Sequence, residues 1–175
     1  MSLDEGKWWN QIDDHPEVND CIGQSKTPID ARPSYEFLYN LKGSIPKELY
    51  AFYFRRILQM NTANVSIDLR LKMFEGVEWE DIMYQDELDA INGFDEEISI
   101  YRGADKNEEI PGISWTIRKH VAIEYPFNRG RVFKAVIPKK DILLYLAHEE
   151  DEGEIIAHVS SGYEIIEEDY KPVST

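Results

Sequence analysis

The hydrophobic period of this chain changes once, near Gly93, and that change restricts the fold more than any other feature. Apolar residues spaced three and four apart mark a helix that buries one face, whereas short β-branched and aromatic runs mark half-buried strands. From Lys7 to about Ile91 the spacing is helical. SIPKELYAFYFRRILQM opens with Ser44 as a cap and Pro46 in the first turn, and sets Leu49, Phe52, Tyr53 and Ile57 on one side. WEDIMYQDELDAI repeats the pattern through Trp79, Ile82, Met83 and Ile91. After Gly93 the runs ISIYR, RVFKAVIP, EIIAHV and YEIIEE read as strands. Between the first two, TIRKHVAIEY reads as a helix with Thr116 as its N-cap and Ile117, Val121 and Ala122 at helical spacing. The expected fold is α+β, a helical amino-terminal layer packed against a mostly antiparallel β core.

At 175 residues the chain is long enough for a real core, and 42% apolar with 12% aromatic residues is too rich for a disordered one. No repeat, low-complexity tract or Pro/Gly-rich linker separates the two textures. A single domain over residues 1–175 is therefore expected, mainly helical over 1–97 and β-rich over 98–175.

Charge and cysteine content narrow the function classes. The formal net charge is −15, from 34 acids and 19 bases, which disfavours binding to nucleic acid or to an anionic membrane. Residues 1–97 hold 20 acids and 9 bases, and residues 98–175 hold 14 and 10, so the acidity is concentrated in the helical part. In the second part Arg118, Lys119, Arg129, Arg131, Lys134, Lys139 and Lys140 face only Glu124 over 23 residues. That basic island is either a solvated face or an attractor for a polyanionic small molecule such as a dinucleotide. Cys21 is the one cysteine, so no intramolecular disulfide forms, and no apolar run of about 18 residues is present to span a membrane. The opening MSLDEGKWWN lacks the basic-then-apolar order of a signal peptide, and a reducing cytoplasmic location is expected.

The absent motifs remove whole enzyme classes. His15, His120, His148 and His158 are widely spaced, and one cysteine does not build a zinc site, so no metal is expected. GxxxxGK[ST], GxGxxG and GxSxG do not occur, which leaves ATP hydrolysis, Rossmann dehydrogenation and serine hydrolysis without support.

Three short elements carry chemistry. Tyr101 and Arg102 end the first strand and Gly103 follows, where the backbone turns or leaves room for a ligand; Arg102 is either an arginine that forks onto a pyrophosphate or a surface side chain beside a turn. Ser114 and Thr116 flank Trp115 and share one face if extended, so they either orient another polar group or belong to a core strand with Trp115 inward. Glu152 and Glu154 flank Gly153 at the start of an apolar strand, and form either a paired carboxylate site or part of a solvated acidic loop.

The order of these elements resembles the arginine, serine and glutamate signature of the mono-ADP-ribosyltransferases, a family that includes bacterial toxins and phage enzymes. YRG, SWT and EGEII carry the resemblance, which covers roughly residues 98–168. It implies an ADP-ribosyltransferase type of β core and NAD as co-substrate. Arg102 would contact the NAD phosphates and brace the site, Ser114 would hold the catalytic glutamate, and Glu154 would be that glutamate. Glu152 would orient or deprotonate an acceptor arginine on a protein partner. Tyr101, Gly103, Trp115 and Thr116 would line the NAD site, with Tyr125 or Phe127 stacking on nicotinamide. Trp115 departs from the small middle residue common in the family's serine strand. Two other readings stay open: an NAD glycohydrolase on the same fold, and a non-enzymatic acidic protein that occupies a basic partner.

Overall fold

A computed structural model describes residues 31–60, 65–105, 112–124, 131–147, 153–159 and 162–169. The chain forms two compact units, Met1–Gln85 and Asp86–Thr175.

The first unit is helical among the described residues: α1 (Arg32–Leu41), α2 (Lys47–Met60), α3 (Ile67–Phe74) and the single turn α4 (Trp79–Ile82). Ser66 caps α3 by accepting the Leu69 amide at 3.2 Å. Pro46, and not Ser44, stands in the cap position just before α2, where its carbonyl accepts the Tyr50 amide at 3.0 Å, so the helix begins two residues later than a Ser44 cap implies. From Leu49 to Arg55 every residue of α2 is buried, so the helix is covered round its circumference and not along the single stripe expected. Aromatic packing ties the helices together. Phe54 meets Phe74 of α3 at 4.6 Å between ring centroids and Tyr35 of α1 edge-on at 6.4 Å, and the Tyr50 hydroxyl donates to the Met73 carbonyl at 3.2 Å.

WEDIMYQDELDAI is not one helix. It breaks at Met83, whose backbone is extended, and α5 (Gln85–Asn92) starts afresh with Asp86 and Glu87 in its first turn. In a continuous helix the Ile82 carbonyl would accept from residue 86. Here it accepts from Arg55 Nη1 at 3.0 Å, and the Arg55 guanidinium lies 4.1 Å over the Tyr84 ring. The break also lets two successive side chains, Ile82 and Met83, both bury completely.

The second unit carries a six-stranded sheet built of β1 (Glu97–Ala104), β2 (Ser114–Thr116), β3 (Arg131–Pro138), β4 (Ile142–Leu146), β5 (Glu154–Ala157) and β6 (Ile165–Asp169), with helix α6 (Lys119–Glu124) between β2 and β3. The strand order is β4-β5-β2-β1-β3-β6, and every neighbouring pair is antiparallel. The molecule is thus α+β, with helices and an antiparallel sheet. β1 and β3 pair over eight residues, Glu97 with Pro138 through Ala104 with Arg131.

Other expectations change as well. β4 was not among the expected strands: ILLYL is an apolar run without alternation, which period alone does not separate from a helix segment. Thr116 does not cap a helix that starts beside it. It is the last residue of β2, its hydroxyl accepts the Arg118 amide at 2.9 Å, and α6 begins at Lys119. That short side-chain turn converts strand to helix and shortens the helix. Among the described residues no helix is long and apolar enough to cross a membrane.

Candidate active site

The register of the sheet assembles the site. Glu154 pairs with Thr116, Thr116 with Tyr101, Tyr101 with Lys134 and Lys134 with Ile166, and on the other side Glu154 pairs with Leu146. Directly paired residues point to the same face, so this row crosses all six strands on one side of the sheet. Ser114 is two residues from Thr116 along β2 and therefore shares that face, diagonal to Glu154. The Ser114 hydroxyl donates a hydrogen bond to Glu154 Oε1, joining residues 40 positions apart.

Arg102 approaches the same serine by its main chain. Nη1 donates to the Ser114 carbonyl at 2.6 Å, a charge-assisted bond that holds β2 from the side opposite its partner β5. The guanidinium lies against Gly112, where an added Cβ would stand 2.9 Å from Nη2 and 3.1 Å from Cζ. Gly112 thus provides the space that Arg102 occupies. Its carbonyl also accepts the Trp115 indole N–H at 2.9 Å. Trp115 itself is 2% exposed, facing away from Ser114 and Thr116 by strand alternation. The bulky middle residue of the serine strand is core, tethered to the residue beside Arg102.

The remaining candidates are placed as follows. Tyr101 is half-buried, with the Lys134 ammonium 6.0 Å from its ring centroid. Arg102 does not end the strand and the chain does not turn at Gly103: β1 continues to Ala104, with Gly103 buried opposite Val132, because β3 pairs with it along its whole length. Thr116 is buried, directly across from Glu154. Glu154 is half-buried at the first position of β5. Glu152, Tyr125 and Phe127 lie outside the described residues. The sheet therefore brings Ser114, Thr116 and Glu154 onto one face, whereas Arg102, next to Tyr101 along β1 and paired with Phe133, alternates to the other face and reaches the site through the Ser114 carbonyl.

Four further residues border the site without having been singled out by the sequence. Gly153, just before Glu154, has φ of +55° and its carbonyl accepts the Ile117 amide at 3.1 Å. Glu87 of α5 is completely buried and accepts the Ala147 amide, at the end of β4, at 3.1 Å. Tyr145 of β4 has its phenol pushed up mainly by burial; the Arg118 guanidinium opposes this, and Glu87 and Asp86 add to it. These charges therefore gather at one end of β2, β4 and β5. Gly112 and Gly153 carry a sequence signal, a glycine beside each motif. Glu87 carries none, being one acid among several in an acidic helix.

Chemically, the arrangement is a carboxylate oriented by a hydroxyl, on a strand held in place by an arginine. A carboxylate has about four acceptor sites, so the Ser114 bond fixes its direction without exhausting its capacity. Negative charge preorganised in this way stabilises a developing cation and accepts from a sugar hydroxyl. Among the described residues no group of three or more His, Cys, Asp or Glu could hold a metal ion. No protein-family model matches the chain, and neither a curated protein nor a solved structure matches it.

Proposed function

We propose that the chain is a mono-ADP-ribosyltransferase, with a β core of that type, which moves ADP-ribose from NAD to a protein acceptor and releases nicotinamide. The observation that carries this reading is the hydrogen bond from Ser114 to Glu154, on a strand whose Ser114 carbonyl Arg102 holds at 2.6 Å. A serine and a glutamate 40 positions apart meet on adjacent strands, and an arginine of the next strand bonds the serine's carbonyl, in the order in which the motifs resemble the family.

In this reading Glu154 accepts a hydrogen bond from the 2′-hydroxyl of the nicotinamide ribose. Its charge stabilises the oxocarbenium-like centre that forms as the glycosidic bond breaks. Nicotinamide leaves neutral because it begins as a cation, so no strong general acid is required and electrostatic stabilisation is the main demand. Ser114 keeps the carboxylate aimed, and Arg102 keeps Ser114 in place. Glu152 serves the acceptor, for which arginine is the side chain proposed.

The test is incubation of the purified chain with labelled NAD, with and without a cell lysate, for wild type, Glu154→Gln and Glu152→Gln. Label on protein that both substitutions abolish supports transfer to arginine. Nicotinamide release that needs Glu154 and not Glu152, with no labelled protein, replaces transfer by NAD hydrolysis. Absence of NAD turnover and of NAD binding removes the enzyme reading and favours the acidic binding protein.

A further inference from the structure

We propose that Gly153 is a positioning residue for Glu154. Its left-handed backbone, seated against Ile117, pins β5 in the register that sets Glu154 across from Thr116 and beside Ser114. The inference rests on the reading of Glu154 as the catalytic carboxylate.

Three observations converge on this position. Gly153 has φ of +55°, a conformation that side-chain-bearing residues other than Asn and Asp rarely adopt. An added Cβ would stand 2.8 Å from Ile117 Cγ1 and 3.2 Å from Cδ1, so the space is closed as well as the torsion. The Gly153 carbonyl accepts the Ile117 amide at 3.1 Å, and at the other end of the strand the Ala157 amide donates to the Ile113 carbonyl at 2.9 Å. β2 is only three residues long. These two bonds, one beyond each end of it, extend the grip of β2 on β5.

A slip of one residue would turn Glu154 to the opposite face and bring Ile155 to Ser114. A smaller adjustment at residue 153 also acts on Glu154 directly, because it is the next residue along the chain. Any side chain at 153 forces either the backbone out of the left-handed region or Ile117 out of its seat. Both displace the carboxylate from the Ser114 hydroxyl.

A graded series of variants separates the causes. Gly153→Ala introduces both the unfavourable torsion and the clash. Gly153→Asn tolerates the torsion and keeps the clash, and Gly153→Asn combined with Ile117→Ala relieves both. Two readouts are taken on the full chain: kcat and KM for nicotinamide release from NAD, and the titration of the Glu154 carboxyl carbon by NMR, with Ser114→Ala as reference.

The expected result is a fall in kcat of roughly 10- to 100-fold in Gly153→Asn, the scale on which about an ångström of misplacement acts. KM for NAD should change little, and Ile117→Ala should restore part of the loss. Removing the Ser114 donor should raise the Glu154 titration midpoint; Gly153→Asn should raise it likewise, and combining the two should add nothing further. If Gly153→Ala does not fold, the Asn pair decides alone. A wild-type kcat in Gly153→Asn, an unchanged Glu154 titration, or no recovery with Ile117→Ala overturns the inference. If the wild-type chain does not turn over NAD, the enzymatic reading falls, and the titration and its recovery still judge the positioning role.

Discussion

The Ser114 hydroxyl donates to the carboxylate of Glu154 across β2 and β5, although 40 positions separate the two residues. The contact depends on register, since Glu154 lies opposite Thr116 and Ser114 is that residue's same-face neighbour on β2. A carboxylate held by a hydroxyl has one direction to point, and the chemistry proposed for it requires one direction.

Replacing Glu154 by Gln should cost on the order of 100-fold or more in nicotinamide release, the scale on which preorganised electrostatic groups act. Ser114→Ala should cost less, roughly 10- to 100-fold, because it removes one hydrogen bond to a charged group and leaves the charge. Steady-state kinetics with NAD measures both, and circular dichroism checks that each variant keeps its fold.

Arg102 and Gly112 should behave as one unit. Arg102→Ala removes a charge-assisted bond to the Ser114 carbonyl and should lower stability by about 1.5–3 kcal/mol in urea unfolding. Arg102→Lys should not restore activity, since an ammonium lacks the planar fork. Gly112→Ala pushes a methyl group at the guanidinium and should slow nicotinamide release in the wild-type background. In the Arg102→Ala background it should have almost no further effect, which a double-mutant cycle reads directly.

Glu87 is expected to support the end of β4. Glu87→Leu leaves the Ala147 amide without this acceptor and should lower stability by about 1–3 kcal/mol, seen as a drop in Tm. Glu87→Gln keeps an acceptor oxygen and should cost less. Equal losses in the two variants would show that the Ala147 bond is not the source.

The β3–β6 edge should weaken in acid. Arg131 forks onto Glu167 through Nε at 2.9 Å and Nη2 at 3.1 Å, and this bond holds the Glu167 carboxyl below its ordinary 4.5. A carboxyl lowered in the folded state contributes stability that is fully present above its unfolded value and is lost as pH falls through the folded one. Urea midpoints measured from pH 6 downward should therefore fall more steeply below about pH 4 in wild type than in Glu167→Gln. The difference should be small, since the pair is exposed to solvent.

The local elements were legible along the chain. Helical spacing marked the region of α2, β-branched and aromatic runs marked β1, β3, β5 and β6, and the order of YRG, SWT and EGEII marked the strands on which the candidate site stands. These are properties of neighbours along the chain, so periodicity and residue type suffice to read them. Tertiary structure decided the rest. ILLYL became β4 because β5 pairs with it, and the helix expected from Trp79 to Ile91 breaks at Met83, where Arg55, 27 positions from Ile82, takes the Ile82 carbonyl. The same holds for the site. That Ser114 reaches Glu154, that Arg102 grips a carbonyl, that Trp115 turns into the core and that Gly153 is closed in by Ile117 all follow from which strands lie side by side and in what register. Pairing is a relation between segments distant in sequence, and no local pattern encodes it.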